Sequence, residues 1–189
     1  MNLVHGVHNG VYRVERPVYE GKEMTKVSAD MSTTERLNAL LTALRDGSYM
    51  QAAGALRRLK IDNKTPRGFC CEGVACDLTA GLLGEWETTW DGDSMFLGNT
   101  SYAPRQVSDF FGIDMETPYT GGVAKWAIRE PVHNAEGDTV LYFRAVYLAS
   151  LNDSGMSLPD IADKIEAYYL HGGKELYEAW VKENAEEQL

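Results

Sequence analysis

The sequence predicts a single α+β domain that is dominated by helices and contains a small irregular antiparallel sheet. Apolar residues recur at helical spacing behind two capping boxes, near the start and near the end of the chain. Between them lies a stretch rich in Gly, Trp, Asp and Thr, which is typical of short strands and loops. The 189 residues are 44% hydrophobic and 24% charged, which is enough apolar material for one core.

The N-terminal part differs in composition from the rest. Residues 1–31 mix Gly, Pro, Val and Tyr without a helical period, so we predict an arm or an edge hairpin there. Short strands are expected at Val11–Val14 and Val18–Glu20. Residues 32–189 are expected to form the single globular domain.

The first predicted helix has strong local signals. Ser32 and Glu35 form a capping box, and leucines follow on one face until Gly47 ends the helix. Residues 49–60 are ambiguous, because their Ala, Leu and Arg favour a helix whereas Gly54 weakens one by about 1 kcal/mol. Residues 62–68 are predicted to be a loop.

The middle of the chain is predicted to alternate between helices and short strands. Phe69–Leu83 reads as a buried helix that ends at Gly84. Short strands are expected near Trp86–Trp90 and Met95–Leu97. Pro104 then begins a short helix, which Gly112 ends.

The last third of the chain is predicted to begin with a strand and to finish with helices. Gly122–Val132 alternates as a strand does, and a polar turn follows at His133–Asp138. The apolar pattern of Val140–Leu151 favours a helix. A second capping box at Ser157 starts another helix, and Gly172-Gly173 separates it from a last one at residues 174–187.

The charge and the cysteines restrict the classes of partner and compartment. The net charge of −10 disfavours nucleic acid as a partner, because phosphates repel an acidic surface. No apolar run approaches the ~20 residues of a membrane helix, and the N-terminus lacks the pattern of a signal peptide. Three cysteines, an odd number, fit a reducing compartment. We therefore expect a cytoplasmic protein with no membrane contact.

Four stretches, in this order and spacing, resemble a family of small proteins encoded by tailed bacteriophages. They cover residues 37 to about 168. The residues that carry the resemblance are Leu44 to Gln51 with Gly54-Ala55-Leu56, Phe69 to Leu78 (Phe-Cys-Cys-Glu-Gly-Val-Ala-Cys-Asp-Leu), Ala103-Pro104 with Val107 and Phe110 to Gly112, and Leu151 to Leu158 (Leu-Asn-Asp-Ser-Gly-Met-Ser-Leu) with Ile161 to Asp163 and Ile165-Glu166.

The resemblance implies a setting, phage infection of a bacterium, and no mechanism. It suggests an accessory protein for host takeover or for defence against the host's antiviral systems, working in the cytoplasm of the infected cell. Glu72 stands where the family pattern leads us to expect an apolar residue. This difference suggests a local, exposed replacement at that position.

The sharpest chemical motif surrounds the paired cysteines. Residues 69–74 resemble the nucleophile turn of papain-like hydrolases of the NlpC/P60 type, in which a cysteine opens a helix and becomes a better thiolate. Such an enzyme would use Cys71 as the nucleophile and His133 as the base, with Gly73 admitting the substrate backbone. The alternative, which we favour, is that the three cysteines are apolar core residues. They lack the second ligand pair of a metal site, so we expect neither metal nor cofactor.

Two further groups are candidates for ligand binding. Four aromatic residues, Trp86, Trp90, Phe96 and Tyr102, could line a pocket for a base or sugar together with Asp91 and Asp93, although they could equally anchor a loop over the core. Asn152 and Asp153 could bind a ligand, or they could satisfy the backbone of a tight turn that Gly155 closes.

A third possibility is a helix-turn-helix DNA-binding regulator beginning at Ser157, but the helix that follows carries glutamates, which would repel phosphate. The main hypothesis is therefore non-catalytic binding of a host or defence protein, or of a small ligand. The sequence does not determine the oligomeric state.

Overall fold

The computed structural model describes residues 7–8, 11–13, 27–59, 66–88, 94–118, 121–137 and 140–186. Within these ranges the chain forms six helices and small antiparallel sheets, which confirms the α+β class dominated by helices. The helices are α1 Thr33–Arg45, α2 Cys71–Leu78, α3 Arg105–Phe111, α4 Leu148–Asp153, α5 Leu158–Tyr169 and α6 Gly173–Glu186.

The strands of the described residues fall into three antiparallel groups. One group has the order β1 (Val7–His8), β2 (Val11–Arg13), β5 (Trp86–Thr88) and β6 (Ser94–Phe96). A second pairs β3 (Arg57–Leu59) with β4 (Pro66–Phe69), and a third has the order β7 (Met115–Glu116), β8 (Lys125–His133) and β9 (Val140–Tyr147).

The predicted strands near residues 86, 95 and 125 are confirmed as β5, β6 and β8. The strand expected at Val11–Val14 corresponds to β2, which pairs with β5. The strand expected at Val18–Glu20 lies outside the described residues.

Capping determines where α1 and α5 begin. The Ser32 hydroxyl accepts a hydrogen bond from the Glu35 N–H at 3.2 Å, and the Glu35 carboxylate accepts one from the Ser32 N–H at 2.7 Å. The Ser157 hydroxyl accepts one from the Asp160 N–H at 3.2 Å. Gly112 ends α3 with φ +69°, as predicted. These local signals were sufficient to predict where the helices begin and end, because the hydrogen bonds of each cap form within one turn of helix.

The ambiguous segment at residues 49–60 is not a helix over its described part, residues 49–59. The segment is irregular up to β3, because its backbone bonds to distant residues and not to its own next turn. The Ala52 N–H donates to the Phe69 carbonyl at 2.8 Å, and the Leu56 N–H donates to the Thr100 carbonyl at 2.8 Å. Gly54 has φ +74°, which interrupts a right-handed helix. The predicted loop at 62–68 also gives way to a strand, since β4 begins at Pro66.

The helix predicted at Phe69–Leu83 is too long at both ends. Phe69 belongs to β4, and α2 runs only from Cys71 to Leu78. The Thr79 hydroxyl donates to the carbonyls of Ala75 and Cys76, each at 3.0 Å. The chain then turns through Gly81, which has φ +86°.

The helix predicted at Val140–Leu151 is a strand for most of its length. β9 pairs with β8 through residue 147, and α4 begins only at Leu148. Phe143 packs against Tyr177 and Trp180 of α6, with ring centroids 5.3 and 5.6 Å apart. A run of apolar residues such as this one is locally compatible with a helix or with a strand. Pairing with β8 makes residues 140–147 a strand.

Candidate binding site

Helix α2 is enclosed by protein on all sides. All eight of its residues are buried, so it has no solvent face. A Cβ atom at Gly73 would lie 1.7 Å from the Leu56 carbonyl oxygen. The space beside Gly73 is therefore filled by the backbone of Leu56. The expectation that a substrate backbone approaches Gly73 is wrong.

The three cysteines lie in the hydrophobic core, and all are free thiols. Cys70 is the N-cap of α2, and its Sγ accepts from the Gly73 N–H at 3.3 Å. Burial raises the pKa of the Cys70 thiol to about 12 and that of Cys71 well above its usual value. A helix start alone therefore does not produce a thiolate here, because the cost of desolvating the charge outweighs the helix dipole.

The structure does not bring Cys71 and His133 together in an accessible site. Cys71 has no solvent exposure, whereas His133 is exposed at the end of β8. A nucleophile that attacks by way of its thiolate needs both access to substrate and a pKa near neutrality. Cys71 has neither property.

Glu72 is fully buried in the first turn of α2, so the expectation of an exposed replacement is wrong. Its Oε2 accepts a hydrogen bond from the Ala103 N–H at 2.7 Å. Its Oε1 lacks a hydrogen bond of normal geometry among the described residues, although the backbone N–H of Trp126 is close enough to lower the pKa of the carboxyl. Burial raises the pKa of this carboxyl to about 7, opposed by the Ala103 N–H and by the charge of Lys125.

The turn at residues 152–155 holds the irregular segment that precedes β3. The Asn152 side chain is buried, and its Nδ2 donates to the Ala52 carbonyl at 2.7 Å. The Asp153 Oδ1 accepts from the Gly54 N–H at 2.8 Å. Gly155 has φ +92°, as the tight turn requires. The polar residues of the turn thus satisfy a distant backbone segment.

A cavity of about 90 Å³ lies where α2, α4 and two loops meet. Its wall is formed by two loop segments, residues 54–55 and 101–102, together with the N-cap of α2 and residues of α4. The lining residues are Gly54, Ala55, Cys70, Ser101, Tyr102, Ala149 and Asp153. Of the residues predicted to bind a ligand, Asp153 and Tyr102 are therefore found in this wall.

The remaining predicted ligand-binding residues lie elsewhere. Trp86 is buried, its Nε1 donates to the Asp77 Oδ1 at 2.9 Å, and its ring packs against Phe69 and Phe96. It therefore anchors the core. Trp90 and Asp91 lie outside the described residues.

Charges of both signs surround the cavity. Asp153 is in the wall. Glu72 comes two positions after the wall residue Cys70 and binds the N–H of Ala103, which follows the wall residue Tyr102. The Lys125 Nζ lies 4.6 Å from the centre of the Tyr102 ring, a cation–π contact.

A second cation, Arg58, lies near Gly54. The Arg58 Nε donates to the Ala53 carbonyl at 3.2 Å. Both cations near the cavity therefore have contacts within the protein.

Sequence reasoning assigned five residues of the cavity wall to no ligand site: Gly54, Ala55, Cys70, Ser101 and Ala149. It also missed the burial of Glu72, whose carboxylate is costly to bury unless it has a partner. The five wall residues carried no signal, because they meet only through tertiary contacts.

Other candidate sites receive no support from the described residues. Among them no group of three or more His, Cys, Asp or Glu side chains could hold a metal ion. None of the helices described is long and apolar enough to cross a membrane. Helix α6 exposes Glu175, Glu178 and Glu183. Their negative charges would repel DNA phosphates if α6 were a recognition helix.

Comparison with known proteins identifies one family. No curated protein and no solved structure matches the chain. A domain of unknown function (DUF8296) matches residues 34–169, a range that contains Glu72 and every residue of the cavity wall. The match spans well over half of the chain, and the chain therefore belongs to the DUF8296 family.

Proposed function

We propose that this protein acts by binding a host or defence protein during phage infection, in the cytoplasm of the infected bacterium, without catalysing a reaction. The cavity between α2, α4 and the loops is the anchor point for that partner. The observation that carries this proposal is the assembly of one cavity from segments far apart in the chain. Its wall residue Tyr102 is followed by Ala103, whose N–H binds the buried carboxylate of Glu72.

Three of the four stretches that resemble the phage proteins contribute residues to the wall of this cavity, and the other begins next to it. The first supplies Gly54 and Ala55, the second Cys70, and the fourth Asp153. The third begins at Ala103, whose N–H binds Glu72. This arrangement supports a role for the cavity in the function that proteins with these stretches share.

The size of the cavity favours a protein over a free small molecule. Pockets for drug-sized ligands and cofactors usually measure about 300–1,000 Å³. The 90 Å³ here is well below that range. Such a volume fits the tip of one side chain, and protein interfaces concentrate their binding energy in anchors of this kind.

A blocking substitution tests the proposal. Ser101 is exposed and lines the cavity, so Ser101→Phe should close it with little effect on folding. Ser150 is also exposed but is not part of the wall, which makes Ser150→Phe the matched control. The tagged wild type and both variants are used to capture proteins from the lysate of a phage-infected bacterium.

A partner recovered with the wild type and with Ser150→Phe, but lost with Ser101→Phe, is the expected result. Recovery of the same partner with all three proteins would rule out the cavity as the anchor. Failure of the wild type to recover any partner would contradict the binding function itself.

A further inference from the structure

Strand β9 (Val140–Tyr147) is the outer strand of the sheet β7-β8-β9, and among the described residues only its β8 side is paired. We infer that two copies of this chain associate through β9, which pairs antiparallel with β9 of the second copy. This pairing joins two three-stranded sheets into one sheet of six strands. β9 supplies no residue to the cavity wall, so the association goes beyond the proposed function and does not depend on it.

The open side of β9 is long enough to bind another strand. Its eight residues span about 26 Å at roughly 3.3 Å per residue. Apart from the pairing with β8, no backbone hydrogen bond between described residues involves residues 140–147. Every second residue of an edge strand directs its N–H and C=O groups away from the sheet, and these groups are a template for a further strand.

The side chains of β9 lack the usual protection of an edge strand. Exposed edges often carry lysine or proline, which hinder pairing with another chain, but β9 contains neither. Leu141 is 54% exposed and Tyr142 is 51% exposed. The register shift against β8 lies at the start of β9, so the strand pairs regularly from Tyr142 onward. An apolar edge of this kind is expected to be covered in the assembled protein.

The charge pattern favours a second copy as the occupant. The chain has 28 acidic residues, but none lies in β9, whose one charged residue is Arg144. Glu130 of β8 pairs with Arg144 at 2.9 Å, so the neighbouring carboxylate is also compensated. Two acidic chains can therefore meet at β9 without carboxylates facing each other across the strand pair. Identical chains most often associate in this way, by one self-complementary patch on a two-fold axis.

A register centred on Phe143 suits both the charge and the exposed apolar residues. It places Tyr142 opposite Arg144 of the second copy, and it covers Leu141 with the partner strand. The guanidinium then lies against a tyrosine ring, a favourable cation–π contact that the two-fold axis repeats. An axis through Arg144 would oppose two like charges. An axis through Ala145 would leave Leu141 and Tyr142 uncovered.

Sedimentation velocity of the full-length protein tests the inference. Salt at about 0.15 M screens the repulsion between the two acidic chains beyond roughly 8 Å. An interface built on one strand is small beside the roughly 800 Å² per partner of a standard complex, so a dissociation constant on the order of tens of micromolar is expected. The mass should therefore rise from one chain towards two between about 5 and 500 µM. Amide hydrogen exchange in β9 should be slower at the higher concentration only.

Two substitutions of Tyr142 test the register, because both remove the same ring. Tyr142→Lys faces Arg144 of the second copy with a like charge and should raise the dissociation constant about ten-fold or more. Tyr142→Glu offers that guanidinium a carboxylate and should stay within about three-fold of the wild type. Net charge alone would give the reverse order, since lysine weakens the repulsion between two acidic chains and glutamate strengthens it.

Matched controls carry the same charge changes outside β9. Met50 is 59% exposed in the segment before β3, so Met50→Lys and Met50→Glu should change the dissociation constant by less than about two-fold. Circular dichroism verifies that each variant is folded, as the exposure of both side chains leads us to expect. Hydrogen exchange of the wild type needs no variant and tests the edge independently.

Three results would overturn the inference. The first is a wild type that stays monomeric over the whole concentration range. The second is a dimer whose β9 amides exchange at the same rate as in the monomer. The third is an equal effect of Tyr142→Lys and Tyr142→Glu, or a weaker dimer with glutamate than with lysine. Capture of a partner with Ser101→Phe decides the proposed function separately, because that residue lies in the cavity wall.

Discussion

At the scale of single residues, Glu72 is the least expected feature of the molecule. Its carboxyl is fully buried in a helix without a solvent face, and one of its two oxygens lacks a hydrogen bond of normal geometry among the described residues. Such a group destabilises the fold when ionised, because water solvates a carboxylate better than the protein interior does. Proteins keep residues of this kind where function requires them more often than where packing does.

Glu72 should make stability fall as the pH rises. Its pKa is raised from 4.5 to about 7 in the folded chain, so folding is favoured while the group is protonated. That contribution is fully present below about pH 4.5 and is lost as the pH rises through 7. Between about pH 5 and pH 8, the wild type should lose about 2–3 kcal/mol of unfolding free energy relative to Glu72→Gln.

Denaturant unfolding of both proteins across this pH range measures the effect. Glu136→Gln, at an exposed turn, serves as the control and should track the wild type. A constant difference between the wild type and Glu72→Gln at every pH would show that the buried carboxyl does not titrate near neutrality.

Gly73 is required by close packing. A methyl group there would overlap the Leu56 carbonyl oxygen, so Gly73→Ala should destabilise the protein by about 3 kcal/mol or more. Gly47 has φ +73° and open space around it, so Gly47→Ala should cost only about 1–2 kcal/mol of backbone strain. Thermal unfolding compares the two, and equal losses would contradict the close approach of Leu56 to α2.

At the scale of elements, α1 and α5 show how far local signals reach. Each begins at a serine whose hydroxyl accepts from a backbone N–H three residues later. Each also buries a stripe of apolar residues, and the two helices pack against each other. Their ends and buried faces were predictable because caps and periodicity act within a few residues of each other.

The capping box of α1 should contribute measurably to stability. Ser32→Ala removes the acceptor for the Glu35 N–H and should cost about 1 kcal/mol. Thr34 is exposed in the same turn and provides the control Thr34→Ala, with an expected change below about 0.5 kcal/mol. Urea unfolding monitored by circular dichroism measures both, and equal effects would mean that the cap contributes nothing.

At the scale of the whole molecule, the turn after α4 connects parts of the chain that are distant in sequence. Asn152 and Asp153 bind the backbone of Ala52 and Gly54, and these contacts build one side of the cavity. Glu72 binds Ala103 and so connects α2 to the loop on another side. The cavity therefore exists only in the assembled fold.

Asn152→Ala should disturb both the fold and the cavity. It leaves the buried contact to the Ala52 carbonyl unmade, which should cost about 2 kcal/mol. Amide shifts at Gly54 and Ala55 should change even where the protein stays folded, whereas the control Ser150→Ala, at an exposed site on α4, should alter neither. Unchanged stability and shifts in Asn152→Ala would show that the turn does not hold this segment.

The sequence by itself determined the α+β class, the start of α1 and α5, the end of α3 at Gly112, and the strands near residues 86, 95 and 125. Each of these rests on a cap, a turn residue or a period that is complete within one element. Only the tertiary structure decided that residues 140–147 form a strand, that α2 is short, that Glu72 is buried, and that Asp153 meets Tyr102 at one cavity. Those outcomes depend on contacts between separate elements, since β9 pairs with β8, Glu72 binds Ala103, and Gly54 binds Asp153. Such contacts leave no periodic trace in the sequence.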